Sequence, residues 1–76
     1  MVVSNMTLDL HSIKHEDVQQ IVDAFIYKHM KKKTTRVYVI TGNSEPMKSI
    51  VSKVATEHGL TAVENMFHSA EMIIDF

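Results

Sequence analysis

The stretch T-L-D-L-H at residues 7–11 decides how the rest of the chain is read. Along a strand, successive side chains alternate between faces, so Leu8 and Leu10 point one way while Thr7, Asp9 and His11 point the other. An acid and an imidazole therefore share a face, two residues apart. By residue type alone they read as a solvent-facing pair that keeps one side of a sheet hydrated. The alternative is that this face does chemistry, and the elements that follow decide between the two.

The first strand spans about Thr7 to Leu10, with Val2 and Val3 extending or preceding it. From Glu16, the apolar positions Val18, Ile21, Val22, Phe25, Ile26 and Met30 repeat at helical spacing and give a helix with one buried side. Glu16 and Asp17 fall in its first turn. His29 and Lys31 to Lys33 crowd its last, which suits the helix dipole at both ends. Val37 to Ile40 is a short β-branched run closed by Gly42, the pattern of a central strand buried on both faces. A second helix starts near Ser44, where Asn43 or Ser44 can cap and Pro46 is tolerated, and it ends at His58 with Gly59 as a left-handed stop. Its apolar stripe is Met47, Ile50, Val51, Val54 and Ala55. Two short segments, T-A-V-E-N-M-F and M-I-I-D-F, then read as a hairpin separated by H-S-A-E, without the Gly or Asn-Gly of a tight turn.

The order β-α-β-α-β-β predicts an α/β fold of the two-layer (α+β) sandwich kind, a four-stranded mixed sheet with both helices on one face. Both crossovers are long enough for parallel pairing, and right-handed connections place the helices on the same side. Leu8 and Leu10 then lie under the helices, and Asp9 and His11 turn toward the open face. Seventy-six residues suffice for one domain, covering 1–76.

Cysteine is absent, which removes disulfides, thiolate nucleophiles and cysteine-based zinc sites. His15, His29, His58 and His68 have no metal-ligand spacing, and Asp9 with His11 supplies only two ligands. No bound metal or cofactor is expected. The first residues lack a signal-peptide pattern and no segment is long and apolar enough for a membrane span, so a cytoplasmic location without membrane association is expected. A net charge of −1 argues against binding nucleic acid by bulk charge, so any such binding must be local. The run K-H-M-K-K-K-T-T-R lies at the edge opposite Asp9 and reads as a solvated dipole cap. The methionines read as core filler, and Tyr38 on the open side reads as strand packing more than as a base-stacking ring.

In parallel β-α units the strand exits share one edge, the usual ligand site of open α/β sheets. His11-Ser12-Ile13-Lys14 should meet Thr41-Gly42-Asn43-Ser44 there. The start of the second helix favours a phosphate, with Lys48 one turn in and Lys14 across the gap.

L-D-L-H at 8–11, the acidic helix start, T-G at 41–42, a second helix and a terminal M-I-I-D-F strand together resemble the Smr (small MutS-related) domain family over essentially the whole chain, as a divergent single-domain member. That family carries L-D-x-H on its first strand and H-G-x-G or T-G-x-G after its second. The resemblance implies a fold similar to the C-terminal domain of translation initiation factor three, and a nucleic-acid role: endonuclease action on RNA or structured DNA in some members, binding in others. On matched positions it makes Asp9 and His11 the catalytic pair and Thr41, Gly42 and Asn43 a backbone cradle. Ser44, Lys14 and Lys48 complete the expected phosphate-binding set. A histidine can move a proton at a phosphodiester, and a carboxylate two residues away can orient it.

The chain departs from the family pattern at Ser44, which replaces the last glycine of T-G-x-G, and at Ser12, which replaces a first-loop glycine. H-S-A-E replaces a glycine-rich lead into the last strand. Two other functions therefore stand beside weak endonuclease activity: a nucleic-acid-binding module without turnover, and a protein-interaction or dimerisation domain using the open face or an edge strand. The resemblance leaves open a divalent cation, the choice of RNA or DNA, and a protein partner that supplies specificity.

Overall fold

The computed structural model describes residues 6–76, with the side chain of Ser69 left out, so the expectation for Val2 and Val3 lies outside the described residues. The elements are β1 (Thr7–Asp9), α1 (His15–Lys31), β2 (Arg36–Ile40), α2 (Glu45–Glu57), β3 (Thr61–Asn65) and β4 (His68–Asp75). They form one four-stranded sheet in the order β1-β2-β4-β3.

β1 pairs with β2 in parallel, Leu8 opposite Val39 and Asp9 opposite Ile40, as a crossover through α1 requires. The second crossover corrects the expectation of two adjacent parallel units. β4 inserts between β2 and β3 and is antiparallel to both. β3 therefore runs in the same direction as β2 without touching it, because the last strand folds back into the gap rather than adding at the edge.

The core comes from one sheet face and both helices. Leu8, Leu10, Val37, Val39, Met72 and Ile74 meet Val18, Val22, Phe25 and Ile26 of α1 and Met47, Val51, Val54 and Ala55 of α2. β2 is not buried on both faces. Val37 and Val39 are fully covered, whereas Tyr38 and Ile40 are half-buried on the side that carries no helix. The sequence run cannot distinguish these cases because Tyr and Ile also suit an uncovered face flanked by strands.

Both helices end in paired hydrogen bonds that stop the chain in a left-handed residue. Gly59, at φ 75, donates its N–H to Thr56 O while Leu60 N–H reaches Ala55 O, and Leu60 packs on the core. α1 ends in the same way with Lys33 at φ 57, Lys33 N–H on Met30 O and Thr34 N–H on His29 O. A lysine there is strained, since its Cβ crowds the backbone where glycine has none.

The last turns of α1 overturn two readings. Met30 is 44% exposed, and His29, taken above as part of a solvated cap, is buried in its place. Residues 22, 25, 26 and 29 follow the helical repeat as well as an apolar series does. The His29 ring sits edge-on to Phe25, with centroids 4.5 Å apart. Its Nδ1 lies 2.9 Å from Thr34 Oγ1, whereas its buried Nε2 has no hydrogen-bond partner among the described residues. The hairpin differs too. The turn is Met66–Phe67, and H-S-A-E forms the first half of β4. Asn65 Oδ1 accepts Phe67 N–H at 2.9 Å, a side-chain bond that does the work expected of glycine.

Lys48, on the buried face of α2, gives its ammonium to Glu64 of β3 and ties the second helix to the edge strand. Asp23 and His58 link the two helices at 2.7 Å.

Two stability predictions follow. Burial lowers the affinity of the His29 ring for a proton, so below the ordinary histidine value of 6.5 the unfolded chain binds a proton that the folded chain refuses. Stability is complete above that value and declines below it. Urea unfolding from about pH 7.5 to about pH 5.5 should show this decline, and His29→Leu should make it shallower; an unchanged slope contradicts it. Glu64→Ala leaves the Lys48 ammonium buried without its counter-charge and should cost about 1 to 3 kcal/mol, whereas Lys48→Met should cost less. The same denaturation measurement checks both, and a neutral Glu64→Ala would contradict the pairing.

Candidate nucleic-acid interface

The parallel register brings the two strand exits together. Leu10 N–H donates to Ile40 O at 2.8 Å, so the chain leaves β1 beside the end of β2. Leu10 is fully buried beneath the helices, which forces its neighbours Asp9 and His11 outward. Ile13 N–H closes a tight turn on Leu10 O at 3.0 Å, and α1 begins directly afterwards.

Asp9 holds His11 twice. Its Oδ1 accepts the His11 backbone N–H at 3.0 Å and lies 2.5 Å from the ring Nδ1. A carboxylate only accepts hydrogen bonds, so Nδ1 carries a proton and Nε2 is left as the outward-facing atom. The ring is solvent-exposed, its side chain 66% accessible. Ring and backbone hydrogen bonds from His11 hold the Asp9 carboxyl below its ordinary value of 3.8. The carboxylate therefore stays charged throughout the range in which histidines titrate. Its stabilising bonds are present above that ordinary value and are lost as pH falls through the lowered one.

Across the gap, Thr41 is buried and Gly42 takes the left-handed conformation at φ 68. A Cβ at Gly42 would meet nothing within 4 Å, so the glycine serves the backbone turn rather than a close approach. The Thr41 and Gly42 N–H groups both donate to Ala70 O of β4, at 2.9 and 3.1 Å, and Thr41 Oγ1 also lies 3.3 Å from that oxygen. These amides lock the corner to the sheet and do not face outward as a phosphate cradle. Ser44 caps α2, its Oγ accepting Met47 N–H at 3.3 Å. The same hydroxyl lies 3.3 Å from His15 Nε2, so the two exit loops meet directly.

Of the expected set, Asp9 and His11 come together, and Ser44 is reached across the gap by the first loop. Lys14 is exposed beside His15. Asn43 is exposed and already engaged within the protein. Lys48 is turned away onto Glu64. Sequence reasoning missed His15, which has no metal-ligand spacing and whose contact with Ser44 forms only in the folded chain. It also missed the Ala70 carbonyl, since no side chain signals a backbone acceptor. Among the described residues no three His, Asp or Glu side chains converge as a metal site. Asp9 and His11 together supply two ligand groups, fewer than the three or four a resident metal ion takes from its protein.

Among the described residues no helix is long and apolar enough to cross a membrane. A search of curated proteins finds no match for the sequence. Among solved structures, the chain is similar to YdaL, a stand-alone small MutS-related protein from Escherichia coli, with a TM-score of 0.82 at 19% identity. The match covers 97% of this chain and 66% of that one, just under two thirds of its length, and shows a shared fold. The family model described as Smr domain matches residues 8–72, a span that contains Asp9, His11 and the Thr41–Gly42 corner. The chain belongs to the Smr domain family, which is associated with nucleic-acid interaction.

Proposed function

We propose that the edge formed by the exits of β1 and β2 binds a nucleic-acid backbone and acts on it as a weak endonuclease. The observation that supports this best is the double hold of Asp9 on His11, which leaves one ring nitrogen facing solvent at a strand exit. The exposed Nε2 takes the proton of an attacking hydroxyl as its oxygen bonds to phosphorus. The phosphorus–oxygen bond to the leaving group then breaks, and the departing oxygen is protonated in turn. Asp9 neutralises the imidazolium while it exists. Lys14, His15, Ser44 and Asn43 form the phosphate-facing part of the site. Thr41 and Gly42 act by shaping the corner, and Lys48 acts by holding α2 to β3.

A second reading, binding without turnover, is favoured by one observation. The Thr41 and Gly42 amides point to Ala70, leaving fewer donors to stabilise charge developing on phosphorus.

Labelled RNA and supercoiled plasmid, incubated with and without a divalent cation, separate the two readings. Under the first, His11→Ala lowers cleavage by about 10²- to 10⁴-fold and Asp9→Asn lowers it less, with folding unchanged. Equal background cleavage by wild type and His11→Ala removes the catalytic role. Binding that weakens steeply with salt and with Lys14→Ala would then mark a binding module.

A further inference from the structure

The β3–β4 turn carries Met66 and Phe67, which are 89% and 93% exposed. Two adjacent large apolar side chains held in water on one turn form a contiguous exposed patch, the kind that marks an interaction site. The turn is firmly built. Asn65 accepts Phe67 N–H, and its amide donates to Glu71 Oε1 at 2.8 Å. With Val63, Ile73, Tyr38 and Arg36, these two residues line one groove on the sheet face that carries no helix. Register places Tyr38 beside Ile73 and Ile73 beside Val63, an apolar row across three strands.

β4 starts next to the end of β2, where Ala70 binds the Thr41–Gly42 corner. The turn that precedes it therefore stands at the same edge of the sheet as Asp9 and His11. We propose that this groove binds the bases of single-stranded nucleic acid. Phe67 and Tyr38 offer ring faces to unpaired bases, and the strand's backbone continues to the β1 and β2 exits. The inference rests on the proposed function for that backbone path and adds the class of substrate. Bases in a duplex hide their faces in the stack, whereas aromatic rings bind the faces of unpaired ones with little regard for sequence.

Electrostatics permits it. Asp75 is paired with Arg36 at 2.6 and 3.3 Å and Glu64 with Lys48, so these two carboxylates beside the groove each carry a counter-cation, while Glu71 accepts a hydrogen bond from Asn65. Arg36, its charge already met by Asp75, adds a planar guanidinium of the kind that stacks on a base.

The test is binding of labelled single-stranded oligonucleotides and of their duplexes to the intact protein. Light scattering and the cleavage assay are run on the same samples. The wild type should prefer the single strand. Phe67→Ala, at a position too exposed to support the fold, should weaken single-strand binding about tenfold, the order expected for one lost stack, while Phe67→Trp keeps it. Tyr38→Leu should act in the same direction. Wild-type affinity in Phe67→Ala overturns the proposal, and so does a wild-type dimer that Phe67→Ala splits, since the groove would then cover a second copy. Loss of cleavage in His11→Ala alongside full binding by Phe67→Ala would leave the edge intact and remove the groove. The reverse pattern would remove the edge and leave the groove.

Discussion

A single carboxylate oxygen organises the candidate site. Asp9 Oδ1 takes both the backbone N–H and the ring Nδ1–H of His11, so the loop leaving β1 and the imidazole it carries are fixed together. β1 ends at Asp9 and His11 lies in the turn that follows, where an aspartate side chain can accept the backbone N–H two residues on. Burial of Leu8 and Leu10 under the helices completes the constraint, since neither Asp9 nor His11 can turn inward without exposing them. The lowered protonation range of Asp9 follows from the same two bonds. The ring's outward nitrogen is thereby defined before any ligand arrives.

The rest of the edge depends on how the fourth strand enters the sheet. By inserting between β2 and β3, β4 brings Ala70 to the end of β2, and its carbonyl gathers the two amides of the Thr41–Gly42 corner. The corner is thereby tied to the sheet rather than open to a ligand. Ser44 stands where the family pattern has glycine, and its hydroxyl both caps α2 and meets His15. The departure from the motif is thus a different local solution rather than a gap.

Much of the fold was legible because its periodicities are strong. The helical stripes through Val18 to Ile26 and Met47 to Ala55, the alternation at 7–11 and the left-handed stop at Gly59 each express one physical rule. The misreadings share a cause, which is that side-chain type does not report partners. His29 looked like a helix-end cation, but Phe25 and Thr34 draw it into the core. Lys48 looked like a phosphate ligand, but Glu64 lies within its reach on a strand that only the folded sheet brings near. The hairpin turn was misplaced because Asn65 supplies by its side chain what glycine usually supplies by its backbone. At the site, Asp9, His11 and Ser44 were visible as residues, whereas His15 and the Ala70 oxygen acquire their roles through contacts between distant parts of the chain.

The account stands on the protonation pattern of one ring. Long-range nitrogen–proton NMR correlations of His11, recorded above the histidine titration range, report which ring nitrogen carries the proton. The structure predicts the Nδ1–H tautomer, with Nε2 bare, and a shift toward the Nε2–H form in Asp9→Ala, where the accepting carboxylate is gone. An Nε2–H ring in the wild-type protein, or a tautomer indifferent to the loss of Asp9, would contradict the account.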